Sequence, residues 1–336
     1  MTLPRQLTEN DYLYKLYLNP QPCPSESIPI LAYDFGNDGH VDFSIVMPSH
    51  NSVTALKSSV PALFESTTGV YEVIFVLDDC WDSSERFLRD FLKENFDLTG
   101  CTRVRVIKQP PPGIFETSAE NLGMRLCSPK KAYISVQSDQ IIIEKSWNEK
   151  MFLPIEQYPE KIFSVSAKGA HDVMKTWTNV IGIHKNFESD VDSQIDYFRT
   201  GINNRDVFTI RNSSDRGPLV FHADKMQRLG FFNEVHCFLG NDDHEIHARA
   251  KIEGWVTGYY PIGVISPSIW GASRRNWSLR DSQTERNRVY RLERQCRLEA
   301  CFDKGGYPLL VSRPMSISSD ELISETCLIA EGVARY

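Results

Sequence analysis

Apolar residues in this chain come in short runs separated by helical patterns. The first clear run, VDFSIVMP (41–48), is rich in β-branched and aromatic residues and closes at Pro48, as a buried strand does. Residues 53–66 (VTALKSSVPALFES) have helical spacing, which Pro61 is expected to interrupt or to start. YEVIFVLDD (71–79) is a second buried strand, ending in two aspartates. Residues 83–95 place Phe87, Leu88, Phe91 and Leu92 on one helical face, with Ser83 or Ser84 as the cap. TRVRVIKQ (102–109) gives a third strand, a Pro/Gly loop leads into a helix through AENLGMRLC, and AYISV (132–136) gives a fourth.

The second half is less regular. KIFSVSAKG (161–169) reads as a strand, and 170–215 as a polar, mixed stretch. A short strand in GPLVFH precedes a helix from about Asp224 that stops at Gly230. NDDHEIHARAKIEGW is a helix with an acidic first turn and Gly254 at its end, which suits the helix dipole. TGYYPIGVI is a last strand, and 278–303 a final helix. Strand and helix alternate often enough to predict an α/β domain with a mainly parallel sheet. In such a sheet, polar residues at the carboxyl ends of strands line the ligand crevice. Three strand ends qualify: Pro48–Asn51, Asp78–Asp79 and Gln137–Asp139.

Composition adds exclusions. A net charge of −7 over 336 residues gives no overall basic surface for nucleic acid. The locally basic stretch Arg274–Arg297 also carries Asp281, Glu285 and Glu293, so it reads as a salt-bridged helix face before an anion- or membrane-facing one. The eight cysteines are scattered without a Cys-x-x-Cys pair, which argues against structural zinc and for reduced thiols in a cytoplasmic protein. No run approaches the length of a membrane span, which leaves only peripheral membrane contact and argues against a processive, channel-forming synthase. Oligomeric state is not written in the pattern. The expected layout is an N-terminal extension (1–40), a main domain (41–270) with halves at about 41–140 and 141–270, and a C-terminal helical extension (271–336).

Four stretches in order resemble the family 2 glycosyltransferases. FSIVMPSHN is similar to that family's first strand and loop, and YEVIFVLDDCWDSS to its Asp-Asp strand end. AENLGMRLCSPKKAYISVQSDQ is similar to the Ala-Arg-Asn segment and the strand leading to Asp-x-Asp. ADKMQRLGFFNEVHCFLGNDDHEIHARAKIEGW is similar to the acceptor-side segment with its Glu-Asp pair. The resemblance covers about 41–265. It implies a GT-A type, Rossmann-like mixed sheet, mainly parallel and flanked by helices. It also implies inverting transfer of a sugar from a nucleotide-sugar to a hydroxyl of a glycan, lipid-linked or protein-linked acceptor.

The same resemblance assigns roles. Pro48, Ser49 and Asn51 hold the nucleoside, and Asp79 accepts a hydrogen bond from a uracil- or guanine-like base edge. Asn121, Gln137 and Ser138 lie along the donor, and Asp139 binds Mn²⁺ or Mg²⁺ at the diphosphate. Asp243 is the general base, with Asp242 and Glu245 as competing candidates, and the donor half comes first; by residue type, Glu245 and Trp177 are also candidates to face the acceptor, Trp177 by stacking on a sugar ring. Adjacent carboxylates are expected to raise each other's pKa, which suits a base. The sequence departs from the family at three points: Glu120 replaces an arginine, for which Arg125 is the candidate substitute; Gln137 replaces the first metal-motif carboxylate; and no histidine follows the last strand. His244 and His247 read as hydrogen-bonding groups, Trp255 and Trp270 as packing or sugar-stacking rings, and 203–217 as a lid. Competing readings are a nucleotidylyltransferase, disfavoured because PSHNSVTALK is not a triphosphate loop, and a catalytically degenerate nucleotide-sugar or glycan-binding module of the same fold.

Overall fold

The structure, a computed structural model, describes residues 28–111, 113–127, 129–169, 207–211, 214–234, 237, 240, 242–260, 262–265 and 314–316. Its strands are β1 (Ile30–Gly36), β2 (Phe43–Ser49), β3 (Tyr71–Asp78), β4 (Arg103–Gln109), β5 (Ala132–Ser135), β6 (Ile141–Ile142), β7 (Ile162–Gly169), β8 (Val207–Arg211), β9 (Ser214–His222), β10 (Val256–Tyr259), β11 (Val264–Ile265) and β12 (Pro314–Ser316). Its helices are α1 (Val53–Ser66), α2 (Ser84–Asn95), α3 (Phe115–Arg125), α4 (Trp147–Gln157), α5 (Ala223–Leu229) and α6 (Asp242–Ile252).

Ten strands form one sheet in the order β1-β4-β3-β2-β5-β9-β7-β10-β8-β12, and β6 pairs with β11 in a second, two-stranded one. From the pairings, β2–β5, β7, β10 and β12 run one way, and β1, β8 and β9 the other. The sheet is therefore mixed and mainly parallel, with helices on both faces, as expected. β2 and β3 are buried at every position because both of their faces are covered. Alternation sorts their side chains: Ile45 and Met47 join the layer under α1, α2 and α4, whereas Val46 joins the layer under α3, α5 and α6. Each large side chain so buried contributes about 1.5–3 kcal/mol. Helix α3 approaches β2 closely at Gly123, where any Cβ would collide with the Val46 side chain.

Several expectations need correction. Residues 30–36 are not irregular: β1 pairs antiparallel with β4 at one sheet edge. Helix α1 runs through Pro61 without a break. The carbonyl that Pro61 leaves without a donor belongs to Lys57, which is exposed and open to water. TGYYPIGVI divides into β10 and β11, which belong to different sheets. The lid expected at 203–217 includes β8 and part of β9, both in the main sheet. Within the expected C-terminal helical extension, the described residues are a strand, β12, paired with β8. The helix at 278–303, the basic stretch, Trp177 and Trp270 lie outside the described residues. No helix among the described residues is long and apolar enough to cross a membrane.

Candidate active site

Strand order locates the crevice. The chain steps from β2 to β3 to β4 on one side, then returns to place β5 on the other side of β2. Sheet order therefore reverses between β2 and β5, and loops diverge there at the carboxyl ends. The residues that follow β2, β3 and β5 are those expected: Pro48–Asn51, Asp78–Asp79 and Gln137–Asp139.

The first two loops are tied together by side chains. Asn51 adopts a left-handed backbone (φ 48°), and its Oδ1 accepts the N–H groups of Trp81 and Asp82 at 2.9 and 3.2 Å. Asn51 thus braces two loops. The Asp82 carboxylate accepts from Val53 N–H at 3.0 Å and Ser84 N–H at 2.9 Å. It serves the starts of α1 and α2 together, taking the capping role expected of Ser83 or Ser84. Pro48 and Ser49 are buried at the end of β2, and Ser49 Oγ has no hydrogen-bond partner among the described residues.

Asp78 and Asp79 have different surroundings. Asp78 is buried, and its two carboxylate oxygens each accept a main-chain N–H, from Ile114 and Phe115, at 2.8 Å. It caps the start of α3, where a negative charge is favoured. Burial raises its pKa, and these two N–H groups and His50 oppose that rise. Asp79 is half-buried with a left-handed backbone (φ 44°). Its main-chain N–H donates to Gln109 O at 2.9 Å, while its carboxylate makes no hydrogen bond to a described residue. Gly113 lets the loop before α3 rest on this pair, since a Cβ there would lie 3.1 Å from both Asp78 Oδ1 and Asp79 Cβ.

After β5 the chain makes a tight turn. Gln140 N–H donates to Gln137 O at 3.1 Å, Gln137 N–H donates to Gln140 Oε1 at 3.1 Å, and Gln140 Nε2 donates to Gln137 Oε1 at 3.2 Å. Ser59 of α1 donates to Ser138 O at 2.8 Å. The Gln137 amide then donates to Glu116 Oε1 on α3 at 2.8 Å. An ionised carboxylate at 137 would face Glu116 across that distance, so the glutamine suits its neighbour. Asp139 is only 6% exposed. Among the described residues, no group of three His, Cys, Asp or Glu side chains is arranged to hold a metal ion. One carboxylate fits a magnesium-like cation only where phosphate oxygens and water complete its shell.

On the other side stands an ion cluster centred on Arg216 of β9. Its guanidinium pairs with Glu120 and with Asp242, and its Nη1 is 3.1 Å from Glu116 Oε1. Its main-chain N–H donates to Asp243 Oδ2 at 3.2 Å. Burial works against the charge on Arg216, but Glu120, Glu116 and Asp243 outweigh it and the pKa rises. Burial pushes Glu120 up despite Arg216. Arg125 does not supply the substitute cation: it pairs with Glu234 and lies over the Phe231 ring.

The acidic start of α6 separates into distinct roles. Asp242 is buried in the Arg216 cluster and also accepts from Thr117 Oγ1 at 3.1 Å. Glu245 is buried and paired with Arg249 at 2.8 Å. Asn121 is buried and clips the Phe232 backbone, donating to its carbonyl at 2.8 Å and accepting its N–H at 3.0 Å. This pair of bonds ties α3 to the segment that follows α5. Asp243 is the half-buried member of the acidic run. Burial would raise its pKa, but His244, Arg216 and His247 hold it below the usual carboxylate value, the reverse of the expected mutual rise. His247 is buried with Nε2 2.8 Å from Ser164 Oγ, in keeping with a hydrogen-bonding role. Trp255 packs on Phe163 with ring centroids 6.0 Å apart.

Sequence comparison matches residues 44–221, more than half of the chain, to the family described as glycosyl transferase family 2. No curated protein sequence matches. Solved structures with likeness include the mannosyltransferase PcManGT of Pyrobaculum calidifontis in complex with GDP-Man and Mn²⁺. That structure is 13% identical with a TM-score of 0.46, over 71% of this chain and 58% of its own. S. aureus TarS 1–349 is 11% identical with a TM-score of 0.44, over 65% of this chain and 58% of its own. The chain therefore covers little more than half of the PcManGT chain and of the TarS 1–349 fragment, and 36% of the longer TarS chain.

Proposed function

Because the chain belongs to glycosyl transferase family 2, we propose that it transfers a sugar from a nucleotide-sugar to an acceptor hydroxyl, with inversion at the anomeric carbon. The observation that carries this reading is the division of labour at the strand ends. At the order reversal, Asp78 is committed to α3 while the carboxylate of Asp79 beside it makes no hydrogen bond to a described residue. Asp243 lies two side chains from the β5 turn, through the Gln137–Glu116–Arg216 contacts.

Asp79 accepts from a ring N–H of the base, which favours uracil or guanine. Pro48 and Ser49 form the wall behind it. Ser138 and Gln137 lie along the diphosphate, and Asp139 would hold a divalent cation there, with Mn²⁺ or Mg²⁺ supplying charge neutralisation for the leaving group. A single carboxylate implies weak cation binding until the diphosphate is present. Asp243, ionised at neutral pH, takes the acceptor proton as the oxygen attacks. The new carbon–oxygen bond forms as the anomeric bond to phosphate breaks, and its electron pair leaves with the nucleoside diphosphate. One displacement with no enzyme nucleophile inverts the centre. The acceptor is a hydroxyl of a glycan, lipid-linked or protein-linked molecule.

The test is release of nucleoside diphosphate from a panel of UDP- and GDP-sugars, with and without Mn²⁺. Turnover of at least one donor, increased by the metal, is the expected result. Failure of every donor either to turn over or to raise the melting temperature would leave a transferase without support. Binding without turnover would point instead to a degenerate binding module.

A further inference from the structure

Arg216 falls within the polar stretch expected to be a lid, yet it is buried among charged groups near the site. Its side chain is 6% exposed and lies against carboxylates from two helices: Glu116 and Glu120 of α3, and Asp242 of α6. Its guanidinium also lies over the Phe232 ring, 4.9 Å from the centroid. The backbone of that residue is the one Asn121 clips to α3. The main-chain N–H of Arg216 itself donates to Asp243 Oδ2.

We propose that Arg216 is a positioning residue for Asp243. Its side chain fixes the first turn of α6 against α3 through Asp242 and Glu120, and its backbone aims the Asp243 carboxylate. The inference rests on the proposal that Asp243 is the base. The geometry separates this role from general stabilisation. A buried arginine needed only for charge balance would satisfy one carboxylate. Here Nη1 bonds Glu116 of α3, Nη2 lies in ion-pair contact with Asp242 of α6, and the main chain of the same residue holds Asp243. Loss of the fork frees the first turn of α6, and a displacement on the order of 1 Å at a reacting group costs about 10²-fold in rate.

The test compares Arg216→Gln and Arg216→Lys with wild type, using release of nucleoside diphosphate from UDP-N-acetylglucosamine or GDP-mannose, whichever is turned over. Rates are normalised to the folded fraction. Arg216→Gln is expected to lower kcat about 10²-fold with donor KM unchanged within about threefold. Arg216→Lys, which keeps the charge and loses the fork, is expected to fall between. If Arg216→Gln does not fold, the double variant Glu120→Gln/Arg216→Gln, which removes one buried charge of each sign, carries the test with the same expected loss. As a control, Arg105→Gln breaks the buried Arg105–Glu72 pair near the amino ends of β3 and β4, and should leave the normalised kcat at the wild-type value. Wild-type kcat in the folded Arg216 variants, or a change in KM alone, overturns the positioning role. Full turnover by Asp243→Asn, measured in parallel, would instead remove the base assignment.

Discussion

Asp243→Asn is expected to lower sugar transfer by about 10²–10⁴-fold, the range typical for loss of a general base. The substitution keeps the side chain's shape but only one acceptor oxygen, so of the two bonds from the Arg216 and His244 N–H groups, which go to Oδ2 and Oδ1 separately, one is kept. It removes the lone pair that takes the acceptor's proton. Nucleoside diphosphate affinity should not change, because the donor loops follow β2, β3 and β5 and Asp243 belongs to α6. The pH profile gives a second reading. With its pKa held below the ordinary 3.8, Asp243 is ionised at neutral pH. Its contribution to stability is likewise present above the unfolded carboxylate range and lost only as pH falls through the lower, folded value. An acid limb in kcat/KM near pH 6, at about the ordinary histidine value, would therefore assign the base to another group.

Asp78→Ala is expected to destabilise the fold by about 2 kcal/mol, counting two charge-assisted bonds and discounting them for the cost of burying the carboxylate. Both bonds go to main-chain N–H groups at the start of α3, which have no helical partner of their own. Removing them also frees the loop around Gly113, which rests on Asp78 and Asp79. Chemical denaturation should show the loss as a lower midpoint with an unchanged slope. Asp79→Ala should show almost none of it, because the Asp79 carboxylate holds nothing in the described fold. Equal destabilisation by the two variants would mean that Asp79 is structural and that the separation of roles is wrong.

How much of this was legible in the sequence depended on what buries each residue. Strands and helices buried by apolar side chains announced themselves: α1 was expected over 53–66 and spans Val53–Ser66, and β3 was expected over 71–79 and spans Tyr71–Asp78. β9 was legible only in its second half, because Ser214, Asp215 and Arg216 look like a loop. Arg216 is buried by ions from α3 and α6, and nothing at positions 116, 120 or 242 marks them as neighbours of 216 before the chain folds. β1 was missed for a related reason: as an edge strand it leaves Ile30 and Leu31 half-exposed, so its pattern is indistinct. At the site, residue type located the right loops but not the direction of each side chain. Asn51 and Asn121 look like ligand-binding amides, yet both are used on backbone. Asp78 and Asp79 are adjacent and chemically identical, and only the position of α3 separates them. Gln137 looks like a lost metal ligand until Glu116 is seen 2.8 Å from its amide.

The central claim is that the carboxyl ends of β2, β3 and β5 form a nucleotide site with Asp79 on the base. Calorimetric titration of UDP and GDP into the full chain and into Asp79→Ala tests it most directly. Wild type is expected to bind one of the two in preference, and Asp79→Ala to bind it about tenfold more weakly, the loss of roughly one hydrogen bond to a charged acceptor, with its melting temperature unchanged. Binding of neither nucleotide, or equal affinity in the two proteins, would contradict it.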